Sequence, residues 1–176
     1  EQQIPLTKPD YPWESCITMG GAWGWVPGDR YKSTRELIQL LVGIVAKGGN
    51  LLLGVGPKGT GEYEPAVYDR LEGMGKWLKA NGEAIYETVP VEPFQVGQVA
   101  YTAKGTNTIY AIYMPGKTET ALPETITVKT TLTGKPVVSL LPENKPLKYR
   151  ATPEGLVVSI PQAMRESLAK TEAVVI

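Results

Sequence analysis

The sequence contains no histidine and a single cysteine, Cys16. Without histidine, the chain by itself cannot build a Ser-His-Asp or Cys-His catalytic site, and it lacks the commonest metal ligand in proteins. One cysteine cannot form a disulfide within the chain, so cysteine usage does not distinguish an oxidising compartment from a reducing one. We therefore expect no metal or cofactor. Catalytic groups from this chain would be carboxylates, tyrosines or lysines.

The chain also lacks an excess of charge of either sign and any long hydrophobic run. Its 18 basic residues balance its 18 acidic residues. A surface without net positive charge is a poor match for phosphates, so we expect no nucleic-acid partner. The longest apolar run is too short to span a bilayer, so we expect no membrane partner either. The apolar fraction of 42% is that of an ordinary globular protein.

A short apolar run between glycines, residues 51–55, is typical of a fully buried strand. The helix before it is predicted to begin at a capping box, in which Ser33 and Glu36 cap each other. We expect it to end at Gly48-Gly49, with Lys47 in its last turn. A second helix is predicted from Pro65 to Asn81-Gly82. Its expected buried face consists of Val67, Leu71, Met74 and Leu78.

A glycine-rich loop at residues 20–29 carries Trp23 and Trp25. Indole rings offer broad apolar faces on which the C–H faces of a sugar can pack. The same rings can also fill a protein core. Composition leaves both readings open for Trp23 and favours core packing for Trp25.

After residue 88 the pattern changes to short alternating runs separated by turns. Residues 89–93 have the composition of a linker between domains. The runs beyond it predict an antiparallel β-sandwich. We therefore predict two domains, residues 1–88 and residues 89–176.

The predicted fold class is α/β plus all-β: the last strand–helix units of a (β/α)8-type barrel, followed by an antiparallel β-sandwich. An open pair of strand–helix units cannot bury its strands, and a closed barrel takes about 250 residues. We therefore expect that this chain is the C-terminal piece of a larger protein. Its partner would be the N-terminal part of the same barrel.

Several motifs, in this order, resemble the C-terminal half of the α-L-fucosidases of glycoside hydrolase family 29. They are Trp13-Glu14-Ser15-Cys16, Ala22-Trp23-Gly24-Trp25 with Pro27-Gly28-Asp29, Leu37-Ile38-Gln39-Leu40-Leu41, Gly48-Gly49-Asn50-Leu51-Leu52-Leu53 with Gly56-Pro57, and residues 75–86. The resemblance is close over residues 1–88, and the sandwich matches only in position and character. Gly54 departs from the family's usual asparagine.

The resemblance implies a retaining exo-glycosidase that removes terminal α-L-fucose from fucosylated glycans. The family's aspartate nucleophile lies on an earlier strand, upstream of this chain. Residues 1–5 are similar to a family motif that carries the general acid/base, which assigns that role to Glu1. The alternative is a terminal glutamate with no role.

The resemblance also implies that Trp23 covers the methyl group of fucose and that Glu14 supports the substrate site. It favours a periplasmic, secreted or lysosomal location, and it leaves linkage preference and oligomeric state open. A non-catalytic carbohydrate-binding module, or a purely structural one, is the alternative function. A binding module would need aromatic side chains exposed on one face of the sandwich.

Overall fold

The computed structural model of the chain describes residues 2–130 and 134–176. Its α-helices are α1 (Thr34–Val45), α2 (Pro65–Asn81) and α3 (Gln162–Ala169), with a short 3-10 helix at Gly82–Ala84. Its strands are β1 (Trp13–Thr18), β2 (Gly49–Gly54), β3 (Val89–Val96), β4 (Val99–Lys104), β5 (Thr108–Tyr113), β6 (Thr125–Val128), β7 (Ser139–Leu140), β8 (Lys145–Pro146), β9 (Tyr149–Thr152), β10 (Gly155–Ser159) and β11 (Val174–Val175). None of the helices in these two ranges has the length and apolar character needed to cross a membrane.

Strands β1 and β2 run parallel and are connected through α1, which forms a β–α–β unit. The predicted capping box at the start of α1 is confirmed: the Ser33 side chain accepts from the Glu36 amide, and the Glu36 carboxylate accepts from the Ser33 amide. The helix ends at Val45, so the placement of Lys47 in its last turn is wrong. Instead, the Lys47 ammonium donates to the carbonyl of Pro5 at 2.7 Å.

The expectation that β2 is fully buried is wrong at Leu52, which is 49% exposed. Within the described part of the chain, β1 is the only strand paired with β2. A parallel strand is buried on both faces only when further strands and helices surround it. The exposed leucine is what a strand pair without those neighbours presents to solvent.

Helix α2 buries a face centred on Val67, Met74 and Trp77. The predicted burial is confirmed for Val67 and Met74. It is wrong for Leu71, which is 42% exposed. Position 77 takes the place of position 71 because Trp77, not Leu71, faces the sheets that follow.

The second half of the chain forms the predicted antiparallel arrangement of two packed sheets. One sheet has the strand order β11-β5-β4-β3, and the other has the order β6-β10-β9. The core between them includes Tyr101, Tyr113, Ile126, Leu140 and Val158. Residues 89–93, predicted as a linker, are instead the start of the edge strand β3. Helix α3 and strand β11 had no counterpart in the sequence prediction.

The central strands of the four-stranded sheet, β4 and β5, are buried on both faces. The second face of the sheet packs on the helices in a core that joins Leu37, Val42 and Trp77 to Ala100 and Ile112. Alternate residues of a strand point to opposite faces, which explains why β4 is buried at four successive positions. The division at residues 88 and 89 stays a prediction, and the hydrophobic core is continuous across it.

Polar contacts also cross this boundary. The Trp77 indole N–H donates to the Ala173 carbonyl at 2.9 Å, and the Arg35 guanidinium donates to the Ala169 carbonyl at 2.8 Å. The Gln39 amide donates to the carbonyls of Pro115 and Glu172. These bonds hold α1 and α2 against the second half of the chain.

Candidate functional site

The candidate site lies where the carboxyl ends of β1 and β2 meet. Parallel α/β architectures place their functional loops at this edge. We call residues 20–29, which follow β1, the aromatic loop, and residues 55–64, which follow β2, the anchor loop. The Met19 amide donates to the Gly54 carbonyl at 2.9 Å, so the two loops start side by side.

Trp23 is the large aromatic side chain of this edge that remains open to solvent, with 49% of its surface exposed. Its ring lies over the end of β2: a Cβ at Gly54 would be 3.3 Å from Trp23 Cζ3. The glycine therefore lets the ring settle against the strand backbone. One apolar face beside an open edge is suited to an apolar corner of a ligand.

Trp25 is partly buried and is fixed by a polar contact across the two loops. Its indole N–H donates to Glu64 Oε1 at 3.0 Å. The other carboxylate oxygen, Oε2, lies 3.2 Å from the ammonium of Lys58. Two hydrogen bonds lower the pKa of the Glu64 carboxyl: the bond from the Trp25 indole has the larger effect and the bond from Lys58 the smaller. Glu64 is therefore ionised near neutral pH. Local sequence patterns gave no sign of this contact because its partners are 39 residues apart.

The base of the aromatic loop is held by charged groups. Both oxygens of the Asp29 carboxylate accept from the Gly21 amide, at 2.9 and 3.0 Å. The Lys32 ammonium donates to the carbonyl of Thr18 at 2.6 Å. Burial raises the pKa of the nearby Tyr31 hydroxyl, and Asp29 adds to the effect, so this phenol stays protonated.

Glu1, the predicted acid/base, lies outside the described residues, and its role stays a prediction. The residues that follow it are placed beside β1. The Gln2 amide donates to the Cys16 carbonyl at 2.9 Å, and the Gln2 side chain donates to Thr18 Oγ1 at 3.1 Å. Ser15 Oγ donates to the Gln3 carbonyl at 2.6 Å. This segment therefore runs along the outer edge of β1 near its carboxyl end.

Glu14 is exposed and lies near the amino end of β1, opposite Asn50 of β2. Thr18 is four positions further along β1, which is about 13 Å in a strand. Glu14 therefore lies towards the other end of β1 from the aromatic loop that carries Trp23. Among the described residues, no hydrogen bond or ion pair involves its carboxylate, and its proposed support of the site stays a prediction.

Three tyrosines on β4 and β5 bear on the alternative function, a carbohydrate-binding module that uses the sandwich. Tyr101, Tyr110 and Tyr113 are less than 10% exposed and face the cores of the sandwich. They cannot form an exposed platform for sugar rings. In the described ranges, no group of three side chains is arranged to hold a metal ion.

Comparison with known proteins gives one consistent result. The family model described as "Alpha-L-fucosidase" matches residues 1–83. Human tissue α-L-fucosidase is 34% identical over 168 residues, which is 90% of this chain and 35% of the human protein. The bovine tissue enzyme is 38% identical over 165 residues, again 90% of this chain and 34% of the relative.

Solved structures agree with the sequence relatives. α-L-Fucosidase isoenzyme 1 from Paenibacillus thiaminolyticus superposes with a TM-score of 0.84 at 29% identity, covering 99% of this chain and 42% of that chain. The Thermotoga maritima α-fucosidase in complex with fucose gives a TM-score of 0.79 at 29% identity, covering 95% and 40% of the two chains.

A β–α–β–α unit joined to antiparallel sheets is thus a fold shared with glycoside hydrolases. The chain belongs to the α-L-fucosidase family, glycoside hydrolase family 29. It spans about a third of the length of the curated relatives that it matches.

Proposed function

We propose that this chain is part of a retaining exo-α-L-fucosidase and supplies one side of its sugar pocket. The observation that carries the proposal is the half-exposed Trp23, held against Gly54 at the carboxyl ends of two parallel strands. Fucose is a 6-deoxy sugar, so its methyl group forms an apolar corner that an indole face can cover. The substrate class is fucosylated glycans or oligosaccharides.

We infer that the remainder of a (β/α)8 barrel completes the pocket. The exposed Leu52 supports this, because the rest of a barrel would cover it. Among the described strands β2 pairs with β1 alone, and a further strand would pair its other edge. The relatives are about three times as long as this chain, which leaves room for those strands. On this proposal, residues 1–88 belong to the barrel and residues 89–176 form the sandwich domain.

In the proposed reaction, an aspartate of the preceding barrel strands attacks the anomeric carbon while Glu1 protonates the leaving oxygen. The glycosidic C–O bond breaks, and a glycosyl-enzyme ester forms. Glu1, now a carboxylate, then removes a proton from water. The water oxygen attacks the anomeric carbon and releases the aspartate. Retention requires the two carboxyl groups to be about 5–5.5 Å apart.

The placement of residues 2 and 3 supports the role of Glu1. They lie beside the last residues of β1, at the edge where Trp23 is found. A glutamate that precedes them needs only a short path to that edge. Several curated relatives are named plasma α-L-fucosidases, and we propose a secreted or lysosomal setting for the whole protein.

The test is hydrolysis of 4-nitrophenyl α-L-fucoside by the full-length enzyme that contains this chain. We expect nitrophenol release, with α-fucose as the first anomer seen by proton NMR. The β-L-fucoside serves as the matched control and should not react. Absence of turnover would favour a binding or structural module, and β-fucose as the first product would refute retention.

A further inference from the structure

The aromatic and anchor loops meet backbone to backbone. Gly56 lies so close to Gly24 and Trp25 that a Cβ at position 56 would overlap the Trp25 amide and the Gly24 carbonyl carbon. The loops therefore form one layer rather than two independent flaps. A side chain of the anchor loop that bonds across this seam can set the position of the aromatic loop.

Glu64 is placed to do this. It is the N-cap residue of α2, and its carbonyl accepts from the Val67 amide at 2.9 Å, so its backbone is fixed by the helix. Each of its carboxylate oxygens has one partner, Trp25 on Oε1 and Lys58 on Oε2. The side chains of Glu64 and Lys58 are only 30% and 31% exposed.

This arrangement differs from an ordinary surface ion pair. On the same helix, Glu72 and Lys76 are 3.9 Å apart, with 71% and 81% of their side chains exposed. Exposed pairs of that kind contribute almost nothing to structure. The contacts of the Glu64 carboxylate are shorter, at 3.0 and 3.2 Å, and its side chain is less exposed than that of Glu72. One of its partners is an aromatic donor in another loop.

Trp23 depends on this anchor for its position. It lies two residues before Trp25, and in the described part of the chain its own indole N–H makes no hydrogen bond. Its ring packs against the backbone at Gly54. If the Trp25 bond were lost, the hydrogen bond from the Asp29 amide to the Val26 carbonyl would be the one remaining to residues 22–28 within the described part of the chain.

We propose that Glu64, with Lys58 as its counter-ion, is a positioning residue that fixes Trp23 over the sugar site by anchoring Trp25. The proposal rests on the proposed fucosidase function. Its chemical consequence is selectivity: a fixed indole face favours the methyl corner of a fucoside over the hydroxymethyl group of the corresponding α-L-galactoside.

The experiment uses the full-length enzyme with Glu64→Ala, the conservative Glu64→Gln and the matched control Glu72→Ala. Glutamine keeps an acceptor for the Trp25 indole, whereas alanine does not. The first readout is amide hydrogen exchange in residues 20–29. We expect faster exchange in Glu64→Ala, near-native exchange in Glu64→Gln, and no change in Glu72→Ala.

The second readout is steady-state kinetics with 4-nitrophenyl α-L-fucoside and α-L-galactoside. In Glu64→Ala, we expect KM for the fucoside to rise about fivefold, the order of one lost hydrogen bond to a partly exposed charge, with kcat within about twofold. KM for the galactoside should change less. Trp25→Phe removes the donor instead of the acceptor and should reproduce both effects, which covers the case in which Glu64→Ala does not fold.

The outcomes separate the two proposals. If wild type hydrolyses the fucoside and neither Glu64→Ala nor Trp25→Phe differs from Glu72→Ala, the anchor is refuted and the function stands. If exchange quickens but KM for both substrates is unchanged, the contact is only structural and the positioning role is refuted. If wild type releases no fucose, the function fails, and the positioning role fails with it.

Discussion

Thr102 offers a sharp test of the shared core between the helices and the sandwich. Its hydroxyl donates to the Ala84 carbonyl at 2.7 Å, and both residues are completely buried. The bond crosses the predicted division at residues 88 and 89. Thr102→Val keeps the side-chain shape but removes the donor, which leaves the Ala84 carbonyl buried without that partner.

The magnitude follows from two opposing terms. An orphaned buried acceptor costs about 1–3 kcal/mol. The methyl group that replaces the hydroxyl is worth about 0.8 kcal/mol when buried. With the middle of the first range, we expect a net loss of about 1 kcal/mol in the free energy of unfolding. For a cooperative unit of 150–250 residues, that lowers Tm by roughly 2–4 °C.

The assay is differential scanning calorimetry, which measures the thermal unfolding of the full-length enzyme. Thr127→Val is the matched control, because Thr127 is exposed on β6 and the same chemical change there should stay within about 0.5 kcal/mol. If Thr102→Val melts like Thr127→Val, the buried hydroxyl does not join the two parts, and the continuous core described above is wrong.

Three further predictions concern single side chains. Gly49→Ala places a Cβ against the Trp13 ring and should destabilise the enzyme by about 1–3 kcal/mol in urea unfolding; no change would mean that Trp13 moves freely. Hydrogen bonds, of which the one from Lys117 has the largest effect, lower the pKa of Glu36 from 4.5 to about 2. Its stabilising effect is therefore complete above about pH 5 and fades as the pH falls from 4.5 towards 2. The difference in Tm between wild type and Glu36→Gln should shrink over that range, and a constant difference would contradict the assignment. Trp23→Ala should raise KM for an aryl α-L-fucoside about fourfold more than for the α-L-galactoside, the worth of one buried methyl group, whereas equal rises would show that Trp23 only packs.

The parts of the fold that depend on neighbouring residues could be predicted from the sequence. The capping box of α1 is such a case, because its donor and acceptor lie three residues apart. The sequence does not predict the start of strand β3, because Pro90 and Pro93 give residues 89–93 the composition of a linker. An edge strand tolerates proline, since one side of its backbone needs no partner. That tolerance depends on the place of the strand in the sheet, which no local pattern reveals.

The same distinction applies to the candidate site. Glycine and tryptophan in residues 20–29 marked the aromatic loop. Composition favours packing for Trp25, which is partly buried, but it does not predict the bond to Glu64, because that partner belongs to a loop beyond α1 and β2. Helical spacing alone predicts that Leu71 is in the core. Spacing defines a face of a helix, and which residues at its margin are buried depends on what packs there.

The central claim is that this chain contributes the general acid/base of a fucosidase, and Glu1→Ala in the full-length enzyme tests it most directly. We expect turnover of a fucoside with a poor leaving group to fall by about 10²-fold or more. Azide should restore turnover of an activated aryl fucoside and give fucosyl azide of retained configuration. Wild-type rates in Glu1→Ala, or a slow variant that azide does not rescue, would contradict the claim.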